Sequence, residues 1–166
     1  MPDLRPAAPE DLEAIVDVFL DCWTISYADL MPDGLVEAMT RERAREIWAA
    51  TLARPETEVL VAAAPGPGGR VRGMVGYSLP EPDAGYVASL YVSPGAQGSG
   101  TGRLLLAAAE QRLHGRGARR ARLWVFEENA PSRSFYERQG WRPDGSRETL
   151  PEWGQPQIGM AKDLPG

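Results

Sequence analysis

Three glycines at alternating positions, Gly98, Gly100 and Gly102, interrupt the chain just before a leucine-rich run in 92-VSPGAQGSGTGRLLL-106. After proline, glycine is the poorest residue for starting a helix, so this placement means that the bare backbone is itself required. Two nucleotide-binding patterns that use such glycines fail on residues. The fingerprint G-x-G-x-x-G, counted from Gly98 and Gly100, reaches Arg103 at its sixth position. A Walker loop needs lysine after its last glycine, but Thr101 stands there and the only lysine of the chain is Lys162. What remains is physical: unhindered N–H groups at a helix N-terminus form a cradle for an anion such as a pyrophosphate.

The periodicity around this loop predicts alternating strands and helices. A short strand at 2–6 precedes a helix over 9–27, in which Leu12, Ile15, Val16, Phe19, Leu20 and Trp23 recur at helical spacing behind Pro9. A second, more polar helical region covers about 33–53, with Ile47, Trp48 and Leu52 on one face. Strands 57–64 and 70–79 flank the turn PGPGG, and a third strand covers 84–94. Helix 101–117, strand 121–127, helix 130–140, strand 141–145 and a strand near 155–164 follow. This order predicts one α/β domain over 1–166: a mixed sheet covered by helices, with antiparallel meanders before a βαβ crossover.

Composition narrows the function. The chain is 43% apolar and 25% charged, and its longest apolar run falls far short of the roughly 20 residues of a membrane span. The opening MPDLRPAAPEDLEAI lacks the apolar stretch of a secretory signal, so a cytoplasmic protein without a membrane partner is expected. One cysteine, Cys22, and one histidine, His114, cannot assemble a zinc-type ligand set, so no metal is expected. A net charge of −5 disfavours nucleic acid as a partner, and the run 116-RGARRAR-122 reads as a solvated connection entering a strand.

The glycine segment Gln97-Gly98-Ser99-Gly100-Thr101-Gly102 resembles the Q/R-x-x-G-x-G/A loop of the GNAT superfamily of N-acetyltransferases, and it follows a strand ending in Leu90-Tyr91-Val92 as that family's does. A second segment, 123-LWVFEENAPSRSFYERQGW-141, is similar to the family's N-x-x-A/S-x-x-F-Y-x-x-x-G-F/W pattern through Asn129, Ser132, Phe135, Tyr136, Gly140 and Trp141. The resemblance implies a mostly antiparallel sheet with a splayed parallel strand pair, and transfer of an acetyl group from acetyl-CoA to an amine. It implies that Leu90, Tyr91 and Val92 meet the pantetheine arm, with the N–H of Leu90 or Tyr91 facing the reacting carbonyl oxygen. It gives the pyrophosphate to Gln97, Gly98, Ser99, Gly100, Thr101, Gly102 and Arg103, adds Asn129, Ser132 and Ser134 as cofactor contacts, and makes Tyr136 the acid that reprotonates the leaving thiolate. The residues alone leave other roles open: Tyr136 as a core aromatic, Asn129 as a helix cap, Ser132 and Ser134 as first-turn hydroxyls, Cys22 as a small buried side chain.

The pattern departs at the general base. Many relatives carry a glutamate on one of the splayed strands, where this chain has Ala88, Ser89 and Trp124. Deprotonation is left to ordered water leading to Glu81, Asp83, Glu127 or Glu128, or to bulk solvent. Segment 22–39 resembles the opening of bacterial polyamine acetyltransferases. With the loop 147–156 it offers Asp29, Asp33, Glu37, Glu148 and Glu152, plus Tyr27 and Trp153, to a small cationic amine. The alternatives are a peptide or amino-acid acceptor, or a module that binds acetyl-CoA without transfer. A homodimer is left open.

Overall fold

Strand β2, Thr57–Ala63, shows how the core is divided. Its side chains alternate across the sheet, so Leu60 and Ala62 pack on one face while Val59 and Val61 pack on the other. The computed structural model describes residues 1–165, the side chain of Asp33 excepted. β2 belongs to a seven-stranded sheet with β1 (Asp3–Pro6), β3 (Val71–Glu81), β4 (Ala84–Val92), β5 (Arg120–Phe126), β6 (Arg142–Thr149) and β7 (Pro156–Asp163). The spatial order is β1-β2-β3-β4-β5-β7-β6, and every neighbouring pair is antiparallel except β4 and β5.

Helices cover both faces. α1 (Leu12–Asp21), α2 (Asp33–Ala38) and α3 (Arg41–Ala53) belong to one side, where Ile15, Val16, Phe19 and Trp48 are buried against Val59 and Val61. α4 (Thr101–Gly115) lies on the other and buries Leu105, Leu106 and Leu113, each adding about 1.5–3 kcal/mol of hydrophobic stabilisation. α5 is Ala130–Arg138. No helix of the described residues is long and apolar enough to cross a membrane.

The mixed, mostly antiparallel sheet with one parallel pair is the predicted fold, and three elements differ from expectation. The helix predicted over 9–27 is α-helical only to Asp21 and continues through Cys22–Ser26 as a π-turn. The region 33–53 is two helices, because the Thr40 hydroxyl accepts the Arg43 N–H (3.2 Å) and starts α3 afresh. β6 runs to Thr149, so the first three residues of the predicted loop 147–156 are strand.

The only lysine of the chain has a structural place. Lys162 Nζ on β7 lies 2.7 Å from Glu110 Oε1 on α4 and donates to the Gln139 carbonyl (2.8 Å), while Glu110 also accepts from Nε1 of the fully buried Trp141 (3.2 Å). Removing one member of such a pair strands the other's charge. Lys162→Met should therefore cost about 2–4 kcal/mol of unfolding free energy in urea titrations, below the fully buried range because the lysine is 25% exposed. Adding Glu110→Gln should restore more than half of the loss, and a double variant no more stable than the single one would contradict this account.

Candidate active site

The site begins with one extra residue. In the β3–β4 register Gly76 faces Ser89 and Tyr77 faces Val87, which leaves Ala88 without a partner as a β-bulge. Gly76 permits it: a Cβ there would lie 2.7 Å from Ser89 Oγ. The parallel pairing of β4 with β5 ends at the same place, at Val87 opposite Leu123, and beyond it the strands part while β5 stays paired to β7 as far as Phe126 opposite Gln157. The Ser93 N–H donates to the Arg72 carbonyl (2.8 Å), which sets the alternation of the antiparallel ladder. Tyr91 and Ser89 therefore turn their backbone groups to β3, and Leu90 and Val92 turn theirs into the cleft. The Val92 carbonyl is taken there by Cys22 Sγ (3.3 Å) and Gln97 Nε2 (3.2 Å).

At the end of β4 the chain turns through Pro94–Ala96 into the glycine segment. Gly98 (φ 80°) and Gly100 (φ 90°) adopt the left-handed conformation that L side chains resist, and a Cβ on either would meet nothing within 4 Å. Their backbone thus borders free space, and the first turn of α4 supplies N–H groups at Thr101, Gly102 and Arg103 without intrahelical acceptors. Gly102 serves packing instead, since its Cβ would lie 3.4 Å from the Phe135 ring. Gln97 Nε2 also reaches Ser26 Oγ (3.3 Å), which ties the loop to the π-turn.

α5 forms the opposite wall. Asn129 is buried, and its Oδ1 accepts the Ser132 N–H (3.2 Å) as the helix cap, with Pro131 in the first turn. Tyr136 packs between Phe135 and Trp141 at centroid distances of 5.3 and 6.3 Å, and desolvation raises its hydroxyl above the ordinary tyrosine range.

Between these walls lies a cavity of about 810 Å³, within the usual range of ligand pockets. It brings together Leu90, Tyr91, Val92, Gln97, Gly98, Gly100, Gly102, Arg103, Asn129, Ser132 and Tyr136. Three of the predicted contacts lie outside it. Thr101 is buried with its hydroxyl 2.9 Å from that of Ser99, Ser99 also bonds the Ala96 carbonyl, and Ser134 is exposed on the far side of α5. The cavity adds Arg138 and Gln139, which motif matching misses. Helical spacing could have found Gln139, because Pro131, Ser132, Phe135, Tyr136 and Gln139 share a face that excludes Ser134. Among the described residues the lining holds two arginines, Arg103 and Arg138, and no Asp or Glu, on a chain of net charge −5.

A second cavity, of about 260 Å³, opens from the splay and shares Tyr27, Leu90, Tyr91, Asn129, Ser132 and Tyr136 with the first. Its walls are aromatic: Trp23 stacks near Trp153 (5.4 Å) and Tyr27 (5.8 Å), Tyr27 meets Phe126 (6.1 Å), and Tyr86 and Trp124 complete them. The predicted acidic mouth is only partly brought together here. Tyr27 and Trp153 line the cavity, but Asp29, Glu37, Glu148 and Glu152 are exposed and do not; the Asp33 side chain lies outside the described residues. The predicted proton routes fare similarly. Glu81 and Asp83 sit at the β3–β4 turn, about 23 Å of extended strand from Leu90, Glu127 pairs with Arg147 (3.1 Å), and Glu128 is exposed.

Burial pushes the Cys22 thiol up to about 12, so it stays protonated and unreactive. Desolvation also raises the Tyr27 and Tyr91 hydroxyls above the ordinary tyrosine range.

A sheet that opens at a bulge beside a left-handed glycine turn defines an acyl-coenzyme A type of transferase fold. The profile of the Acetyltransferase (GNAT) family matches residues 12–141, and the chain belongs to that family, whose co-substrate is acetyl-CoA. The fold is similar to that of the PaiA N-acetyltransferase from Thermoplasma acidophilum, solved with coenzyme A, at 23% identity and a TM-score of 0.82 over 98% of this chain and 99% of that one. It is also similar to the ribosomal-protein-S18-alanine N-acetyltransferase from Escherichia coli, at 18% identity and 0.71 over 100% and 96%. A mycothiol acetyltransferase from Beutenbergia cavernae is 43% identical over 65 residues, which are 39% of this chain and 22% of that relative's length.

The open backbone at Gly98 and Gly100, with Arg103 and Arg138 beside it, fits the phosphates of coenzyme A. Gly100→Ala, which adds strain but little bulk, should weaken coenzyme A by less than about 10-fold in calorimetry, and Gly100→Glu, which adds a negative charge to the cradle, by more than about 100-fold. Unchanged affinity in the glutamate variant would remove the phosphate from this loop.

Proposed function

We propose that the chain transfers the acetyl group of acetyl-CoA directly to the amine of a small molecule or peptide that carries an aromatic or apolar group beside an α-amino nitrogen. The observation that carries this reading is the second cavity, which has eight aromatic residues and, among the described residues, no Asp or Glu in its lining. It meets the coenzyme cavity at Leu90 and Tyr136.

Acetyl-CoA, when bound, supplies an acyl carbon already activated as a thioester. The Leu90 N–H, turned away from β3, is the backbone donor for negative charge developing on the acyl oxygen. Tyr136 donates its proton to sulfur as the C–S bond breaks and the N–C bond forms, and the amine proton leaves to water. The hydroxyl arrives protonated because burial raises it, and the same dry surroundings raise a thiolate above its usual ~8.5, so the two remain matched. Cys22 takes no part, since a thiol held at about 12 forms no acyl-enzyme.

An α-amino group near ~7.7–8.0 is partly free at neutral pH, whereas an alkylammonium near ~10.4 needs a base that the described lining of the cavity does not supply. A polycationic acceptor has less support, because the exposed carboxylates that would attract it stand off the lining. The missing base also favours one other reading, a module that binds acetyl-CoA without transferring it.

A thiol-release assay across aromatic amino-acid amides, N-terminal peptides, spermidine and aminoglycosides at two ionic strengths separates these. Aromatic α-amines should turn over fastest with little effect of salt; a salt-sensitive preference for spermidine would restore the polyamine reading, and no release with any amine would leave the binding module.

Tyr136→Phe should lower kcat by roughly 10- to 1,000-fold with coenzyme A affinity unchanged, and unchanged kcat where chemistry limits turnover would remove Tyr136 from the mechanism. The wild-type kcat/KM for the amine should rise with pH through the amine's own pKa. The falling limb comes from an acid losing its proton, and Tyr136 is raised, so none should appear up to about pH 10. A descending limb near pH 8 would assign the acid to another group.

A further inference from the structure

The second cavity contains a side-chain pair that the reaction scheme above does not use. Gln157 on β7 is 9% exposed, lines this cavity, and stands opposite Phe126 of β5 on one side and Glu148 of β6 on the other. Its Nε2 donates to Glu148 Oε1 at 2.7 Å. An ionised carboxylate only accepts hydrogen bonds, so this contact fixes which way round the Gln157 amide lies: nitrogen outward to Glu148, Oε1 free of any protein donor among the described residues. The same carboxylate reaches the cavity wall in a second way, adding to the desolvation that raises the Tyr86 hydroxyl.

An incoming amine is chiefly a donor and needs acceptors. Part of the polar lining is already engaged or is itself a donor: Asn129 Oδ1 caps α5, and the buried Trp23 Nε1 is an N–H without an acceptor. A free carbonyl oxygen beside the aromatic walls, polarised by an anion behind its own amide, is the matching partner. We propose that Gln157 Oε1 accepts a hydrogen from the acceptor amine and seats it in the splay, and that Glu148 is a positioning residue that holds the glutamine amide in that orientation. The inference rests on the reading of this cavity as the acceptor site, and it gives Glu148 a role acting through Gln157 in place of direct contact with a cation.

The test uses the full chain saturated with coenzyme A, phenylalaninamide as the amine probe, and calorimetry beside steady-state kinetics. Gln157→Leu should weaken the probe and raise its KM by at least about 10-fold while coenzyme A affinity stays within twofold. Glu148→Gln, whose amide can donate as well as accept, frees the Gln157 amide to turn and should raise KM by about 3- to 10-fold. The swapped pair Glu148→Gln with Gln157→Glu returns an acceptor oxygen to the cavity and should recover most of the Gln157→Leu loss. A purely structural cross-strand pair would instead move the thermal midpoint in all three variants and leave KM alone, which would overturn the proposal. Ser89→Phe, which fills the same cavity from β4, separates the two levels of the argument. If it abolishes probe binding and Gln157→Leu does not, the cavity reading stands and the Gln157 role falls; if neither changes binding, or the wild type does not bind the probe, both fall.

Discussion

Most of what the molecule can do depends on a single unpaired residue. Ala88 of β4 has no partner on β3, and the parallel ladder to β5 stops one residue before it. A sheet that kept that ladder to Val92 would consume the Leu90 and Val92 backbone groups in strand pairing and leave no space between the two strands. The parting instead exposes main-chain donors and acceptors that a ligand can take up, and it exposes them at fixed positions, because β4 stays bonded to β3 and β5 stays bonded to β7. Rigidity on the outer edges and vacancy on the inner ones come from the same register shift.

Charge is distributed to suit. The chain is acidic overall, yet among the described residues neither cavity at the splay has an Asp or Glu in its lining, and the larger one holds Arg103 and Arg138. The acids near the rim are turned to solvent or bound to other side chains, Glu127 to Arg147 and Glu148 to Gln157. The run 116–122 is absorbed in the same way at both ends, since Arg116 pairs with Glu58 (3.1 Å) and Arg122 with Asp144 (2.9 Å).

How far the sequence could be read follows from the range of the interactions involved. The sheet and helix order follow from local periodicity and turn chemistry, and the glycine cradle from residues adjacent in the chain, so both were legible. The break at Thr40 carried its signal, a threonine three residues before Arg43, but the amphipathic pattern on either side masked it. The extension of β6 to Thr149 was hidden because its polar, mostly exposed residues are held by pairing to β7 and not by an apolar face. The acceptor side is less legible for the same reason: counting acids near a mouth says nothing of which way they point, and the Glu148–Gln157 pair exists only through the β6–β7 register. Ser134 entered by motif, although α5 periodicity turns it away from Phe135 and Tyr136.

The aromatic cavity raises a question of magnitudes. Stripping the proton from an alkylammonium at pH 7 costs about 4.6 kcal/mol, from ~3.4 pKa units at 1.36 kcal/mol each, while an α-ammonium costs about 1.4 kcal/mol. Aromatic faces oppose the loss, since a cation over a ring is stabilised by about 0.5–2 kcal/mol. Desolvation favours it, and a group deep in a dry pocket can shift by several units. For an α-amine a partial desolvation outweighs both terms, so no carboxylate is needed at the point of attack. For a lysine-like amine the same cavity would have to supply nearly the full shift of a buried group while eight aromatic residues pull the other way. A base on the splayed strands would solve that problem, but it would also put a charge between the aromatic walls. The uncharged Ala88, Ser89 and Trp124 at those positions are consistent with an acceptor whose nitrogen is already a weak enough base to enter unprotonated.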